Sequence, residues 1–355
     1  MTSTVPASRD SPQAPGSVTP GALHRSAVRR SALLAAALAA VVVVSVASLA
    51  LGSHGLAPAE VWDALVRGGT SEGAVIVRDL RVPRTVLGLV VGAALGLAGA
   101  LMQALTRNPL ADPGLLGVEA GAAAAVVTAI ALLGLRTPGE FVAFALVGAA
   151  VVAALVHAVG AGRNGTDPVR LVLAGAAVSA VLYAYIEAVI LLDPAAFTAF
   201  RSWRYGAIAG RDAGDLLVVG PLLFLGAVVA LGLGQALNAA ALGDDVGAGL
   251  GVSLRRTRVL AAAAVAVLCG AATALAGPIA FIGLAVPYVA RLLVGADLRW
   301  VLVLSLPLGA VALLAADVMG RVVGSPGEVS VGIVTAAVGG PLFVLLVRRR
   351  RIPRL

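Results

Sequence analysis

The stretch GAALGLAGALMQALTRNPLADPGLLGVEAGA, residues 92–122, joins two long apolar runs through a short polar turn. The runs cover about 85–105 and 114–134, and the turn between them reads RNPL, residues 107–110. Proline disfavours a helical conformation for the residue before it, so this turn favours a helix break. Since about 20 helical residues cross a bilayer, the stretch predicts two membrane-spanning helices joined by a tight turn.

The composition places the whole chain in the membrane class. Of its 355 residues, 60% are hydrophobic and 12% are charged, whereas soluble domains average about 45–50% apolar and about 25% charged residues. The mean hydropathy is +1.00. Abundant alanine and glycine suit helices that pack closely in lipid. The single cysteine, Cys269, excludes an intrachain disulfide and is predicted to be a buried core residue.

Apolar segments long enough to cross a bilayer recur along the chain and define the predicted architecture. They lie at about 32–51, 85–105, 114–134, 140–160, 170–192, 216–237, 257–276, 279–294, 300–320 and 329–347. The fold class is therefore an all-α integral membrane protein with ten transmembrane helices. Residues 1–28, rich in Pro, Ser, Thr and Gly, are predicted to be a disordered cytoplasmic tail, and residues 29–355 to form one ten-span domain.

The distribution of arginine predicts the orientation. The formal charge of +8 comes from arginines scattered between the apolar segments, which indicates topology and contact with the lipid bilayer rather than nucleic-acid binding. With the N-terminus inside, 17 of the 26 basic residues lie in cytoplasmic segments. Both termini are therefore predicted to be cytoplasmic. Arg78, Arg81 and Arg84 then fall in the outside loop before the second span, against the positive-inside tendency, so they need another explanation.

A weak internal repeat accompanies the ten segments. A shift of 178 residues aligns LAG at 97–99 with LAG at 275–277, Pro109 with Pro287 and Gly117 with Gly295. The shift pairs the second span with the seventh, and an offset of five spans inverts one half relative to the other. The pattern predicts an inverted repeat, a common design among transporters.

Signatures of an enzyme are missing from the sequence. His24, His54 and His157 are isolated, no cluster has metal-ligand spacing, and no GxxxxGK[ST] phosphate loop occurs, so the chain is not expected to hydrolyse ATP itself. Glu187 and Asp317 lie inside apolar segments, where ionisable groups are functional candidates. These two residues keep open the hypothesis that the chain is an ion-coupled secondary carrier. Asp317 is, however, also placed to pair with Arg321 one helical turn later.

The polar segment ALGDDVGAGLGVSLRRTR, residues 241–258, combines apolar and charged positions. Val246, Ala248, Leu250 and Val252 would give a short helix on the inner face an apolar surface with charged edges. Two interpretations remain open from the residues alone, a contact for a partner protein or a solvated connector.

Several ordered motifs resemble one family over about residues 56–347. They are RVPR (81–84), the opening stretch (92–122), LGDDVGAGLG (242–251), GPIAFIGLAVPYVAR (277–291), ADVMGR (316–321) and EVSVGIVTAAVGGPLF (328–343). The chain is similar to the permease subunits of ABC importers for ferric siderophores, haem and cobalamin, the FecCD family. Tyr288 departs from the pattern, since the family usually has histidine after this proline.

The resemblance implies a subunit of the cell membrane that works with several partners. These are two cytoplasmic ATPase subunits, an extracytoplasmic substrate-binding protein, and a second permease copy or a sister permease. No cofactor would be bound directly, because ATP is used by the partner subunits. Ferric siderophores are the expected cargo, with cobalamin or haem as the alternative.

The resemblance also implies the functional residues. Arg81, Arg84 and Arg321 would dock the binding protein through its acidic residues, and a guanidinium suits this because its fork grips carboxylates bidentately. The ATPase contact would lie in the coupling loop at about 241–258, through Asp244, Asp245, Ala248, Leu250 and Gly251.

Overall fold

The computed structural model describes residues 20–52, 57–68, 71–162, 165–166, 168–211 and 213–349. The α-helices are α1 (Pro20–Ala50), α2 (Pro58–Val66), α3 (Glu72–Val75), α4 (Val82–Thr106), α5 (Val118–Leu133), α6 (Pro138–Gly160), α7 (Pro168–Leu192), α8 (Pro194–Arg204), α9 (Ala213–Gly232), α10 (Gly234–Ala241), α11 (Asp244–Gly249), α12 (Leu254–Ala276), α13 (Ile282–Val294), α14 (Leu298–Val323) and α15 (Val331–Arg349). A π-helical segment, Ile76–Arg81, precedes α4, and a 3-10 turn, Pro113–Leu116, precedes α5. Two strands, β1 (Ala161–Gly162) and β2 (Gly165–Thr166), form a short antiparallel hairpin.

The ten predicted apolar segments each correspond to a helix in the described part of the chain. Among the described residues, seven helices are long and apolar enough to cross a membrane, and three shorter apolar helices lie at Val118–Leu133, Ile282–Val294 and Val331–Leu345. Three boundaries need correction. The segments predicted from 114 and 279 begin as α-helices only at Val118 and Ile282, and the segment predicted at 216–237 crosses the break between α9 and α10. α1 begins at Pro20, within the range predicted as a tail, and residues 1–19 lie outside the described part.

The stretch RDLRVPR is helical, so the prediction of a loop there was wrong. A continuous helical run extends from Glu72 to Thr106, with Arg78 and Arg81 in its π-helical segment and Arg84 in the first turn of α4. Pro83 lies at the start of α4, directly after the π-helical segment. The arginines are therefore held on a rigid extension of a spanning helix.

Three helices form the centre of the fold. The most apolar windows of α4, α12 and α14 are 78%, 72% and 61% buried, against 17–33% for the other long spans. Glycine permits the close approach of α4 to α14, because a Cβ on Gly309 would lie 2.2 Å from the carbonyl oxygen of Gly92. The small-residue packing expected from the composition is present at this contact.

The sequence pairs behind the predicted repeat lie in unlike local structures. Residues 97–99 lie within α4, whereas 275–277 end α12. Pro109 belongs to the turn after α4, but Pro287 lies inside α13. The shift of 178 residues therefore does not align structurally equivalent positions, and the inverted repeat stays a prediction.

Candidate functional sites: an arginine cluster and an exposed helix

Arg84 connects α4 to α14 and to the segment that follows α14. Its Nη2 lies 2.8 Å from Oδ1 of Asp317, and its Nε lies 3.1 Å from Oδ2 of the same carboxylate. Its Nη1 donates to Oε2 of Glu328 at 2.7 Å. One planar guanidinium thus holds two carboxylates, a geometry that a lysine ammonium could not reproduce.

Asp317 is shared between two arginines. Its Oδ2 lies 3.0 Å from Nη2 of Arg321, one turn along α14, as the sequence spacing predicted. The Asp317 side chain is only 2% exposed. A carboxylate buried to this degree is stable only when it is paired and hydrogen-bonded, and here Arg84 supplies the second partner.

Arg81 and Arg321 cap the C-terminal end of α1 by donating to its last carbonyl groups. Arg81 Nη1 donates to the carbonyl oxygens of Leu49 and Ala50 at 2.6 and 2.9 Å. Arg321 Nη1 donates to the carbonyl oxygens of Ser48 and Leu51, both at 2.9 Å. The last carbonyls of a helix have no partner within the helix and favour cations nearby. These two side chains therefore join α1 to α4 and α14.

We call Arg81, Arg84, Arg321, Asp317 and Glu328 the arginine cluster. Its three arginines and two carboxylates leave one net positive charge. Arg81 and Arg321 are buried at 6% and 2% exposure, whereas the side chains of Arg84 and Glu328 are 13% and 36% exposed. Arg84 is therefore the arginine of the cluster most open to an acidic partner, and Glu328 partly neutralises it.

The predicted coupling loop contains a helix with apolar side chains facing outward. α11 follows Gly243, whose φ of 112° sets it off from α10, and Gly251 turns the chain back with a φ of 78°. Leu242, Val246 and Leu250 are 66%, 50% and 62% exposed.

The remaining predicted coupling residues lie on or beside α11. Asp245 and Ala248 are exposed on it. Asp244 begins the helix, and its side chain lies outside the described part. A short helix that exposes several apolar side chains fits a groove on a partner.

The arginine cluster and α11 lie at opposite ends of the same two helices. At the end of α4 far from Arg84, Arg107 donates to the carbonyl oxygen of Ala240, next to α11. At the start of α14, far from Arg321, the N–H of Leu298 donates to Oδ1 of Asn238 in α10. With 25 and 26 residues, α4 and α14 extend about 37–39 Å at 1.5 Å per residue.

The other candidates from the sequence have ordinary surroundings. Glu187 pairs with Arg204 of α8 at 2.5 Å, and Cys269 is buried as predicted. No group of three or more His, Cys, Asp or Glu side chains that could hold a metal ion occurs among the described residues. Arg107 adopts a left-handed conformation at the end of α4, in agreement with the predicted helix break.

Sequence reasoning missed two members of the site. The hydroxyls of Ser48 and Thr85 form a hydrogen bond at 2.8 Å. The Ser48 hydroxyl oxygen also accepts a hydrogen bond from Nη2 of Arg321. Glu328 was not assigned a role in the sequence analysis. It accepts a hydrogen bond from Arg84, which lies 244 positions earlier in the chain. Neither has a local sequence signal, because both contacts depend on how α1, α4 and α14 assemble.

Comparison with known families gives a match over most of the chain. The FecCD transport family matches residues 38–349. This region contains the arginine cluster, α11 and most of the ten apolar helices.

Individual relatives agree in length as well as sequence. The chain is 47% identical over 305 residues to the ferric enterobactin transport system permease protein FepD of Escherichia coli (strain K12), covering 85% of the chain and 91% of that protein. It is 39% identical over 303 residues to a siderophore transport system permease protein, YfiZ, of Bacillus subtilis (strain 168), covering 85% and 91%. A solved structure of an inward-facing conformation, assigned to a metal-chelate type ABC transporter, superposes with a TM-score of 0.79 at 26% identity, covering 90% of this chain and all of that one.

Proposed function

The chain belongs to the FecCD transport family and is a permease subunit of an ABC importer, and from this premise we propose that its cargo is a ferric siderophore. The relatives in Escherichia coli and Bacillus subtilis, named for ferric enterobactin and siderophore transport, support this cargo. Because the iron would arrive already chelated, the pathway needs no protein ligands to the metal. Import of cobalamin or haem by the same machinery is the alternative.

One observation carries the mechanism. The arginine cluster and the exposed α11 lie at opposite ends of α4 and α14, which are among the most buried helices. A protein that binds on one side of the membrane can therefore be linked to one that binds on the other through two rigid, closely packed elements. This is the arrangement that an importer driven from the cytoplasm requires.

The membrane topology is ten spans with both termini in the cytoplasm. Support comes from the seven long and three shorter apolar helices and from the arginine count in the segments between them. In this topology α11 lies at the cytoplasmic face and the arginine cluster at the outer face. The positive charges that opposed the topological rule then belong to a functional surface.

The partners follow from this orientation. Two ATPase subunits bind at the cytoplasmic face, an extracytoplasmic binding protein delivers the cargo, and a second permease copy or a sister permease completes the pathway. ATP is hydrolysed by the ATPase subunits, since the chain has no phosphate-binding loop. The permease itself acts as a transport subunit without catalysis.

The docking surface for the binding protein is the arginine cluster. Arg84 contacts the acidic partner directly, since it is the most exposed of the three arginines in the cluster. Arg81 and Arg321 strengthen the positive potential from below the surface and hold the end of α1 in place. Complementary charge of this kind accelerates association and fixes its orientation.

ATPase coupling occurs through Asp244, Asp245 and Ala248 of α11 and through Leu250 and Gly251, which follow the helix. Closure of the ATPase dimer would move α11, and the adjoining α10 and α12 would carry the motion to the spans. The pathway then alternates between outward-open and inward-open states, each favoured by a different ligand.

An ion-coupled secondary carrier is the candidate from another class. Such a carrier needs intramembrane ionisable groups that are available to its coupling ion. Asp317 is held between two arginines and Glu187 is paired with Arg204. These contacts disfavour the carrier hypothesis for both residues.

Deletion of the gene for this chain tests the proposal. Uptake of radiolabelled ferric siderophores, haem and cobalamin would be measured with and without ATP depletion. Loss of one ATP-dependent ferric-siderophore uptake is the expected result. Loss of cobalamin or haem uptake instead would overturn the cargo, and uptake that survives ATP depletion but collapses with an ion gradient would overturn the mechanism.

A further inference from the structure

An apolar crevice opens on the side of the molecule, between α6 and α12. Its volume is about 550 Å³, and it is lined mainly by α6 and α12, with Leu222 contributed by α9. Its α12 side consists of small side chains such as Ala263, Ala266 and Gly270. Both α6 and α9 pack against α12, so the crevice lies where the peripheral helices leave the central one uncovered.

The crevice has the length of a lipid acyl chain in one leaflet. Its lining on α12 extends from Val259 to Ala271, a distance of about 18 Å at 1.5 Å per residue. The hydrocarbon core of a bilayer is about 30 Å thick, so each leaflet supplies roughly half of that. Val147 and Val151 of α6 are 62% and 60% exposed beside the crevice, which places its opening on a surface that faces lipid.

One end of the crevice is polar and positively charged. His157 is the one lining residue with an ionisable side chain, and it lies at the same end as Val259. Arg258 precedes Val259 directly, and the exposed Arg255 and Arg256 lie one turn earlier on α12. The other lining residues have hydrocarbon side chains or are glycine. An apolar slot that ends at basic groups matches a phospholipid with a negatively charged headgroup.

We propose that the crevice binds one anionic phospholipid, with an acyl chain along α12 between α6 and α9 and its phosphate beside His157 and Arg258. The proposed topology places this end at the cytoplasmic face, so the lipid belongs to the inner leaflet. Only this choice of leaflet rests on the proposed function. The lipid fills space that the small side chains of α12 leave open and thereby supports the packing of α6 and α9 on the core.

Native mass spectrometry of the intact transporter tests the proposal. The complex would be reconstituted with equal amounts of phosphatidylglycerol and phosphatidylethanolamine of matched chains, extracted in mild detergent and weighed with its retained lipids. The wild type is expected to retain one phosphatidylglycerol per permease copy. Ala263→Phe fills the crevice with a bulky ring and should abolish this retention. Ala39→Phe makes the same change at an exposed position of α1 outside the crevice and should leave it intact.

A second pair of variants tests the headgroup contact without filling the crevice. His157→Gln and Arg258→Gln should shift the retained lipid from phosphatidylglycerol toward phosphatidylethanolamine. Equal retention in the wild type, Ala263→Phe and Ala39→Phe would overturn the site, since it would show only general lipid around the protein. An added mass that matches a bound polypeptide instead of a lipid would overturn the proposal as well. So would an unchanged preference for phosphatidylglycerol in both glutamine variants.

Discussion

Asp317 shows which contacts of a single residue can be predicted from the sequence and which cannot. Its pairing with Arg321 is confirmed, because residues four apart share one face of a helix. Its second partner, Arg84, is 233 positions away and reaches it only because α4 packs against α14. Local spacing predicts contacts within one helix, whereas contacts between helices depend on the register of their packing.

Asp317→Asn should destabilise the protein without touching its exposed surface. The substitution leaves Arg84 and Arg321 with no buried negative charge between them, and breaking a buried ion pair typically costs about 3–5 kcal/mol. Thermal unfolding in detergent should show a clearly lower Tm. Asp79→Asn removes the same charge from an exposed position and should leave Tm almost unchanged. Equal Tm values for both variants would contradict the role assigned to Asp317.

Glu328→Gln should strengthen docking of the binding protein. Glu328 occupies Nη1 of Arg84, so its neutralisation frees that donor and raises the net charge of the cluster. Affinity at low salt should rise about two- to fivefold, equivalent to at most ~1 kcal/mol for an exposed charge. The gain should fade as added salt screens the charges.

The matched control for this docking experiment is Glu72→Gln, an equal charge change at the exposed start of α3. It should have a smaller effect on affinity, measured by the same binding titration. Weaker docking of the Glu328 variant would show that the partner does not approach the cluster as an acidic surface.

At the scale of the elements, the least predictable feature was the helical start of the second span. The charges of RDLRVPR suggested a loop, yet one helical run extends from Glu72 to Thr106, with Pro83 at the junction of the π-helical segment and α4. The exposed apolar face of α11 was easier to predict, because its apolar residues lie in a short segment that Gly243 and Gly251 set off from the neighbouring helices. Whether α11 contacts an ATPase stays a prediction.

Gly309→Ala should disrupt the packing of α4 on α14. The new Cβ would lie 2.2 Å from a backbone oxygen, so the helices must separate, and overpacking of this kind costs about 1–3 kcal/mol or more. Gly232→Ala is the control, because a Cβ there meets no atom within 4 Å. Folded yield and Tm should fall for the first variant and stay constant or rise slightly for the second. A tolerated Gly309→Ala would contradict the close approach.

Leu250→Ala should uncouple ATP hydrolysis from transport. The side chain is 62% exposed, so the fold loses little, but the ATPase loses an apolar contact. Cargo uptake per ATP hydrolysed should drop while docking of the binding protein stays normal. Leu110→Ala, at a 40% exposed leucine in the turn after α4, is the matched control and should remain coupled. An equal loss in both variants would count against a specific role for α11.

At the scale of the whole molecule, composition and hydropathy predicted the all-helical membrane class and the ten apolar segments. The all-helical class is confirmed, because each segment that crosses lipid must satisfy its own backbone hydrogen bonds, whereas the count of ten spans stays a prediction. The internal repeat stays a prediction, because short matches of small residues recur by chance in a chain with 43 glycines and do not fix its register. The arginine cluster itself depends on three helices that meet only in the folded protein, so its internal bonding could not be predicted.

The central claim is that ATP drives chelated iron through this permease from the cluster end to the α11 end. The most direct measurement is uptake of radiolabelled ferric siderophore into proteoliposomes that contain the permease with its ATPase subunits and enclosed ATP, with the binding protein outside. We expect uptake that requires both ATP and the binding protein and that drops in Leu250→Ala. Uptake that proceeds without ATP, or that follows an imposed ion gradient, would contradict it.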